Sequence, residues 1–577
     1  MKPPYDGIST LKLMKQARNF LIFGLTKYNM RIRKLFQGDN LGALRQSFAD
    51  QSVDLIYLDP PFNSAADYNV LFRDHGNQQD SAQILAFTDT WKWGSDGEQA
   101  LLDLVPRHGE LARYLQDLVT RLGRNDLSAY LVMMGVRLFE LRRVLKPTGS
   151  LYLHCDPTAS HYLKTILDVL FGPKNFRNEI TWQRTNVHSD SKTWSRVSDV
   201  ILFYTASDDF TWNPQYAQHD PEYVRTKYRY DDGDGRGSYR LSDMTSPKPR
   251  PNMMYEWQGY AFPPNGWRYA KETMQRLHDE GRIWYPGDKA KRPQFKRYLS
   301  ESQGVLLGNV WTDIAPLNSQ AQERLGYPTQ KPVALLERII CASSKPGDIV
   351  LDPFCGCGTT VSAAEKLGRQ WMGIDITHLS IALIRARLRR DFGLEPTDYQ
   401  EEGTPTTIEG AQALFDRDPY DFQFWILGEV GAQPYGAIGD SKVGKKGRDG
   451  GIDGQMYFMR PDGGKVETVY ISVKGGKNLN AGMVRDLAGT MQRDQAAIGI
   501  FICLAKPTAG VLREAQQAGS YEYGGKAYDR IQILTVDRIL KKTMPEIPRG
   551  AVNVSYEPKK AKSLASESKR KGMDALF

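Results

Sequence analysis

GDIVLDPFCGCGTTVSAAEKLGRQWMGIDI, residues 347 to 376, places a strand, a glycine turn, a helix and a second strand end to end. Ile349, Val350 and Leu351 form a short apolar run suited to a strand buried on both faces. Asp352 and Pro353 lead into Gly356 and Gly358, and from Thr359 onward Val361, Ala364 and Leu367 recur at helical spacing. Gly368 stops that helix, and WMGID makes a strand ending on Asp375. A strand, glycine turn and helix let backbone come close to a nucleotide-like ligand, and an acid closing the next strand suits two ribose hydroxyls. The turn reads FCGCGTT in place of G-x-G-x-x-G, so a ligand with a nucleoside and no phosphate suits it better than a dinucleotide. Taken alone, such a turn also fits a plain tight bend.

A second strand of the same design lies far upstream in DLIYLDPPFNS, residues 54 to 64. Leu55, Ile56 and Leu58 make the apolar run, and Pro60 must end any ladder pairing. Pro60 and Pro61 have fixed φ and no N–H, so a backbone carbonyl can be aimed there without a competing donor. Asp39 repeats the strand-then-acid pattern after Lys34 to Gly38, where it also reads as the N-cap of a helix starting near Leu41.

LDPPFN together with YPTQKPVALLERIICASSKPGDIVLDPFCGCGTT resembles the permuted beta class of amino-group DNA methyltransferases that use S-adenosylmethionine. The resemblance implies an α/β, Rossmann-like methyltransferase sheet in which the base-binding tetrapeptide precedes the cofactor loop. It assigns Asp59, Pro60, Pro61 and Phe62 to the target amine, with Asp59 and the Pro60 carbonyl accepting hydrogen bonds and Phe62 stacking on the base. It assigns Asp39, Gln330, Lys331, Pro332, Asp352, Pro353, Phe354, Gly356, Gly358, Thr359 and Asp375 to the cofactor. Asp at the first tetrapeptide position favours adenine N6, and cytosine N4 stays open as the alternative. RVLKPTGSLYLHCD (143 to 156) and RVSDVILFYTAS (196 to 207) agree with adenine methyltransferases resembling type III modification subunits. His154 reads as a satisfied structural histidine beside the cleft.

Between Phe210 and Ile314 the chain becomes dense in Tyr, Trp, Arg, Lys, Pro and Gly, with one amphipathic helix near Ala270 to Glu280. Interleaved basic and aromatic residues suit phosphate contact and base-edge readout. The resemblance implies an inserted target-recognition region over residues 208–314, within a methyltransferase domain of residues 30–393 preceded by an extension over 1–29, with an insertion that only covers the cleft as the alternative. The Pro-, Gly- and Thr-rich stretch 394–410 reads as a linker. Residues 411–550 resemble the Mrr-like branch of the PD-(D/E)XK nucleases, a second α/β domain. The match puts Asp453 at the metal-binding acid, Lys474 at the lysine and Gln423 on the preceding helix, with Mg²⁺ as the implied metal. Ser472 stands where that fold has Glu, Asp or Gln, and a hydroxyl is a weak Mg²⁺ ligand. Asp486 or Asp494 is a candidate displaced carboxylate. Restriction-modification or phage defence is the implied setting, with the C-terminal domain either a nuclease or a non-catalytic DNA-binding module.

The net charge of +9 suits a polyanionic partner such as double-stranded DNA. Five scattered cysteines form neither a disulfide framework nor paired metal motifs. The apolar patch FLIFGL near the start is shorter than a signal h-region or a membrane span, so a cytoplasmic protein without a membrane partner is expected. Residues 551–577 read as a basic disordered tail whose end, Met573 to Phe577, loosely resembles peptides that dock on sliding clamps. A homodimer stays open.

Overall fold

The computed structural model describes residues 31–61, 93–187, 193–317, 321, 323–325, 327, 329–435, 451–459 and 466–548. Its largest sheet contains β1 (Arg33–Gln37), β2 (Val53–Leu58), β3 (Leu145–Cys155), β4 (Phe176–Gln183), β5 (Ser198–Thr205), β6 (Val310–Trp311), β7 (Ile349–Asp352), β8 (Gln370–Asp375) and β9 (Gln400–Glu402). The order across it is β6-β4-β5-β3-β2-β7-β8-β1-β9. Pairing is parallel except where β5 lies antiparallel between β3 and β4.

Strict alternation divides the central strands between two cores. Ile56 and Leu58 of β2 pack with Leu151, Leu351 and Ile374, while Leu55 and Tyr57 pack on the other face with Val350, Val361 and Ile384. Each fully buried Leu or Ile contributes about 1.5–3 kcal/mol relative to exposure, so a shift of register by one residue would forfeit both faces at once. Helices α1 (Asn40–Ser47) and α2 (Asp126–Val144) cover the first face, and α3 (Thr359–Lys366) and α4 (His378–Phe392) the second.

The chain crosses from β2 to β3 in one direction along the sheet and from β7 to β8 in the other. Such a reversal opens a crevice at the carboxyl edge, here between β2 and β7, whose register pairs Leu55 with Val350 and Ile56 with Leu351. Both Asp-Pro segments leave the sheet into this crevice.

Beneath it, α2 acts as a strut. The Glu140 side chain is fully buried and takes ion pairs from Arg45 at 3.0 Å, Arg107 at 2.7 Å and Arg143 at 2.7 Å. Arg143 also donates to the carbonyls of Leu44 and Phe48, which fixes α1 against α2.

Residues Pro214–Gly308 form a compact unit of their own, inside the expected 208–314. It holds a three-stranded sheet (Tyr239–Asp243, Gln294–Tyr298, Ile283–Trp284), the helix Lys271–Asp279 and a small core of Met244, Trp257, Trp267, Met274 and Ile283. The residues just after it return to the main sheet as β6.

The stretch 394–410 differs from the expected linker, because β9 within it pairs with β1 through Lys34–Gln400, Leu35–Glu401 and Phe36–Glu402. An edge strand built from Gln and Glu lacks the apolar alternation that marks a strand in sequence, and its charges protect the sheet edge. Arg385 of α4 braces it by ion pairs to Glu401 and, at 2.8 Å, to Glu429.

The C-terminal domain is a five-stranded sheet ordered β10 (Gln433–Pro434), β11 (Gly454–Met459), β12 (Val466–Lys474), β13 (Ile498–Cys503) and β14 (Ile531–Thr535), flanked by α5 (Pro419–Glu429) and α6 (Ala481–Asp494). Phe424 of α5 packs with Leu379 and Leu383 of α4. The extension 1–29, the tail 551–577 and the clamp-like Met573 to Phe577 lie outside the described residues. Among the described residues no helix is long and apolar enough to cross a membrane.

Glu140→Ala leaves three guanidiniums around an empty buried acid position. It should cost about 3–5 kcal/mol of unfolding free energy in urea titration, whereas a loss below about 1 kcal/mol would deny the strut its role.

Candidate active site

Asp59, Pro60 and Pro61 follow β2 directly, with Pro60 buried and Asp59 half-shielded. The fourth tetrapeptide residue, Phe62, lies outside the described residues. One oxygen of Asp59, Oδ2, is ion-paired with the ammonium of Lys331, which arrives from the segment before the helix Val333–Ser343. Lys331 thus stands at the acid that opens the Asp-Pro-Pro segment. Its neighbour Gln330 staples its own segment, accepting from Leu325 N at 2.8 Å and donating to Glu323 O at 2.6 Å, and Pro332 is the N-cap of the helix.

Asp352 ends β7 with its carboxyl buried. It accepts from the Thr360 hydroxyl at 2.5 Å and from Phe354 N at 3.0 Å. Burial pushes it up to about 7; those two hydrogen bonds hold it down in part, and nearby Asp59 and Asp375 add to the rise. Asp375 ends β8 and grips the glycine turn of the neighbouring strand, accepting from Gly356 N at 2.9 Å and from Thr377 N and Oγ1 at 3.0 Å each. Burial raises it as well. Gly358 has φ +74°, and a Cβ there would stand 2.7 Å from Ile384 Cγ1, so both conformation and space demand glycine. Phe354 packs against the first core, and the Thr359 hydroxyl lies 3.3 Å from Arg387.

Asp39 takes the capping role its sequence allowed. Its Oδ2 caps α1 by accepting from Gly42 N at 3.0 Å, and it stands at the carboxyl edge beside the cofactor-type turn. Three residues that sequence reasoning did not single out tie these loops together. The buried Arg137 of α2 donates to Asp39 at 2.6 Å and to Asn40 Oδ1 at 2.6 Å, and Asn40 donates onward to the Pro353 carbonyl at 2.9 Å. An arginine within an otherwise apolar helix was the signal, since Arg is almost never fully buried unless paired. The third is Tyr57, whose hydroxyl shares a 2.9 Å hydrogen bond with His154 Nδ1. His154 Nε2 lies 3.1 Å from Asp199 Oδ2, and Arg184 Nε lies 3.2 Å from Asp199 Oδ1. Burial would raise the Asp199 carboxyl, but the His154 hydrogen bond, with the charges of Lys331 and Arg184, helps hold it below the usual range. Asp199 is thus ionised, so His154 Nε2–H donates to it and Nδ1 accepts from Tyr57. Both imidazole nitrogens are thereby satisfied. Asp156 is used by the turn that follows it, accepting from Thr158 N at 3.1 Å and Ala159 N at 3.3 Å.

The second centre is sparser. Asp453, just ahead of β11, accepts from Val473 N at 2.6 Å, with Ser472 Oγ at 3.4 Å and Lys474 Nζ at 3.5 Å from the same oxygen. Gln423 of α5 donates to the Asp453 carbonyl at 3.4 Å. Burial raises the Asp453 carboxyl. Asp494 is held by Arg493 at 2.8 Å and by Tyr470 at 3.3 Å near the far end of α6, and Asp486 is exposed. Among the described residues no cluster of three or more His, Cys, Asp or Glu forms a metal site, and one protonation-prone carboxyl beside a hydroxyl and a lysine does not fit Mg²⁺.

Residues 53–385, more than half of the chain, match the DNA methylase family model, described as N6_N4_Mtase. The chain belongs to this DNA methylase family. Residues 417–540 match the restriction endonuclease model Mrr_cat. The Type II methyltransferase M.HpaI of Haemophilus parainfluenzae is 37% identical over 382 residues, covering 65% of this chain and 81% of that protein. The StyLTI Mod subunit of a type III restriction-modification enzyme from Salmonella typhimurium is 28% identical over 352 residues, 58% of this chain and 50% of its own length. The DNA adenine methyltransferase YhdJ of Escherichia coli is 51% identical over 114 residues, 19% of this chain and 38% of that protein. The chain thus spans about half the length of the StyLTI subunit.

A carboxyl raised to about 7 stabilises the fold fully at low pH and loses that contribution as pH climbs through 7. Asp352→Asn should therefore be relatively more stable than wild type at pH 8 than at pH 5, whatever its fixed offset, in paired urea titrations. Equal differences at both pH values would remove Asp352 from the account.

Proposed function

We propose that this member of the DNA methylase family transfers the methyl group of S-adenosylmethionine to adenine N6 in double-stranded DNA, within a bacterial or phage restriction-modification system in the cytoplasm. One observation carries the reading: Asp59-Pro60-Pro61 and Asp352 to Thr359 leave adjacent strands on either side of the reversal in strand order. The crevice joins a base-accepting acid to a glycine turn suited to a nucleoside. An exocyclic amine is a poor nucleophile because its lone pair is conjugated with the ring, and Asp59 with the Pro60 carbonyl can localise that pair by accepting both N–H groups. The base must leave the duplex first, at roughly a few kcal/mol, of which stacking on Phe62 can return roughly 1–3 kcal/mol. The carboxyls of Asp352 and Asp375 would face the cationic cofactor, which supplies an activated methyl group when bound. In-line placement is then the main catalytic contribution.

Asp59, and the adenine named for the YhdJ relative, favour N6 over cytosine N4. The compact unit Pro214–Gly308, rich in aromatic and basic side chains, is proposed to read the recognition sequence. For the C-terminal domain, a site with Asp453 as its one carboxyl among the described residues favours a DNA-binding module over a nuclease, and no cleavage step is derived.

Incubating full-length chain and S-adenosylmethionine with unmethylated DNA, then digesting it for mass spectrometry, should yield N6-methyladenine; N4-methylcytosine alone would overturn the base assignment, and no methylated base would overturn the function. Asp59→Ala should lower kcat by about 100-fold or more with cofactor affinity kept, while Asp375→Ala should weaken the cofactor. Because a cation favours ionised Asp352, S-adenosylmethionine affinity should fall up to about tenfold from pH 8 to pH 6, and that of the neutral-sulfur product less. Plasmid with Mg²⁺ should stay intact, and cleavage abolished by Asp453→Ala would restore the nuclease reading.

A further inference from the structure

Lys331 sits among the residues whose family resemblance points to the cofactor, yet its ammonium is bonded to the acid that faces the base. The two side chains come from segments far apart in sequence and are both largely shielded, with 13% and 15% of their side-chain surface exposed. Charges so placed need a partner. The pair engages Oδ2 of Asp59, and among the described residues no hydrogen bond reaches Oδ1. Asp199, held by His154 and Arg184, also feels the positive charge of Lys331, which helps keep that carboxyl low. Two ion pairs therefore line the edge of β2 and β5, Asp59 with Lys331 and Asp199 with Arg184.

We propose that Lys331 is a positioning residue for methyl transfer, holding Asp59 oriented with Oδ1 turned to the target amine, while Asp199 offsets the lysine's charge. This rests on the methyltransferase reading above and assigns Lys331 to the base side of the crevice. In the step it serves, the amine nitrogen donates its lone pair to the methyl carbon, and the carbon–sulfur bond breaks with its electron pair returning to sulfur. The sulfonium becomes a neutral thioether, and the nitrogen sheds one N–H proton to water. Positive charge thus moves from sulfur to nitrogen. A bare lysine nearby would oppose that movement; a lysine neutralised by Asp199 leaves the negative charge of Asp59 to favour it. A resting latch displaced by the base would behave oppositely, since its removal would leave kcat unchanged or raise it.

The test uses full-length Lys331→Met, Lys331→Arg and Asp199→Asn chains, tritiated-methyl incorporation into unmethylated DNA with cofactor varied, and calorimetric binding of S-adenosylmethionine. Lys331→Met should lower kcat by about 100-fold with cofactor Kd changed less than about threefold, and Lys331→Arg should recover at least about tenfold of that loss. Asp199→Asn keeps an acceptor for His154 but removes the charge. It should also lower kcat at constant cofactor Kd, and it carries the test if Lys331→Met does not fold. Unchanged kcat in Lys331→Met, or in Asp199→Asn where that variant stands in, overturns the proposal. So does a loss expressed mainly as weaker cofactor binding, which would place Lys331 on the cofactor side. A wild-type chain that transfers no methyl group sinks the underlying function instead, so the two failures are distinct.

Discussion

Two hydrogen-bonded residue pairs, Leu55 with Val350 and Ile56 with Leu351, join strands separated by most of the first domain. This pairing is the constraint on which the site depends. It is parallel, so both strands release their chains at the same edge, and it sits where the crossovers reverse, so neither chain folds back over the gap. Alternating burial on two cores prevents slippage, since a slip of one residue would turn Ile56 and Leu58 out of one core and Leu55 and Tyr57 out of the other. The Asp-Pro loops are fixed relative to each other because the strands beneath them cannot move.

The second layer of control is electrostatic. Asp352 and Asp375 are lifted by burial, and each is spent on holding the glycine turn or its own strand end. Asp59 and Asp199 differ, being paired with Lys331 and with Arg184, while His154 donates a hydrogen bond to Asp199. One half of the crevice is thus a set of reluctant anions that a cationic ligand would stabilise, and the other is an already balanced array. Asp39 and Asn40, fastened by Arg137 to the Pro353 carbonyl, link the first strand to the same turn.

Most of this architecture was legible from short-range pattern. Apolar runs ending in Asp-Pro, glycine at positions of positive φ, and an acid closing the next strand each have a local physical cause, and they identified β2, β7, β8 and their loops. What the pattern missed depends on tertiary proximity. Arg137 meets Asp39 across a helix packing contact, Lys331 meets Asp59 across the whole insertion, and Tyr57 meets His154 between neighbouring strands. β9 was hidden because an edge strand of Gln and Glu has no apolar face to announce it. At the C-terminal centre, Asp453, Ser472 and Lys474, all singled out in sequence, lie together, with Asp453 bonded to Val473 N and paired with Lys474.

The C-terminal domain is built onto the cofactor half of the sheet. His378 N, three residues past Asp375, donates to Asp421 of α5 at 3.1 Å, and Phe424 packs on the same helix. Placement of donor and acceptor in one crevice nevertheless remains the claim from which everything else follows. A crystal structure of the chain with a non-reactive S-adenosylmethionine analogue and cognate DNA tests it most directly. The account predicts the analogue against the Asp352 to Gly358 turn and a flipped adenine on Asp59, sharing one cavity between β2 and β7. An analogue bound elsewhere, or a base held away from Asp59, would contradict it.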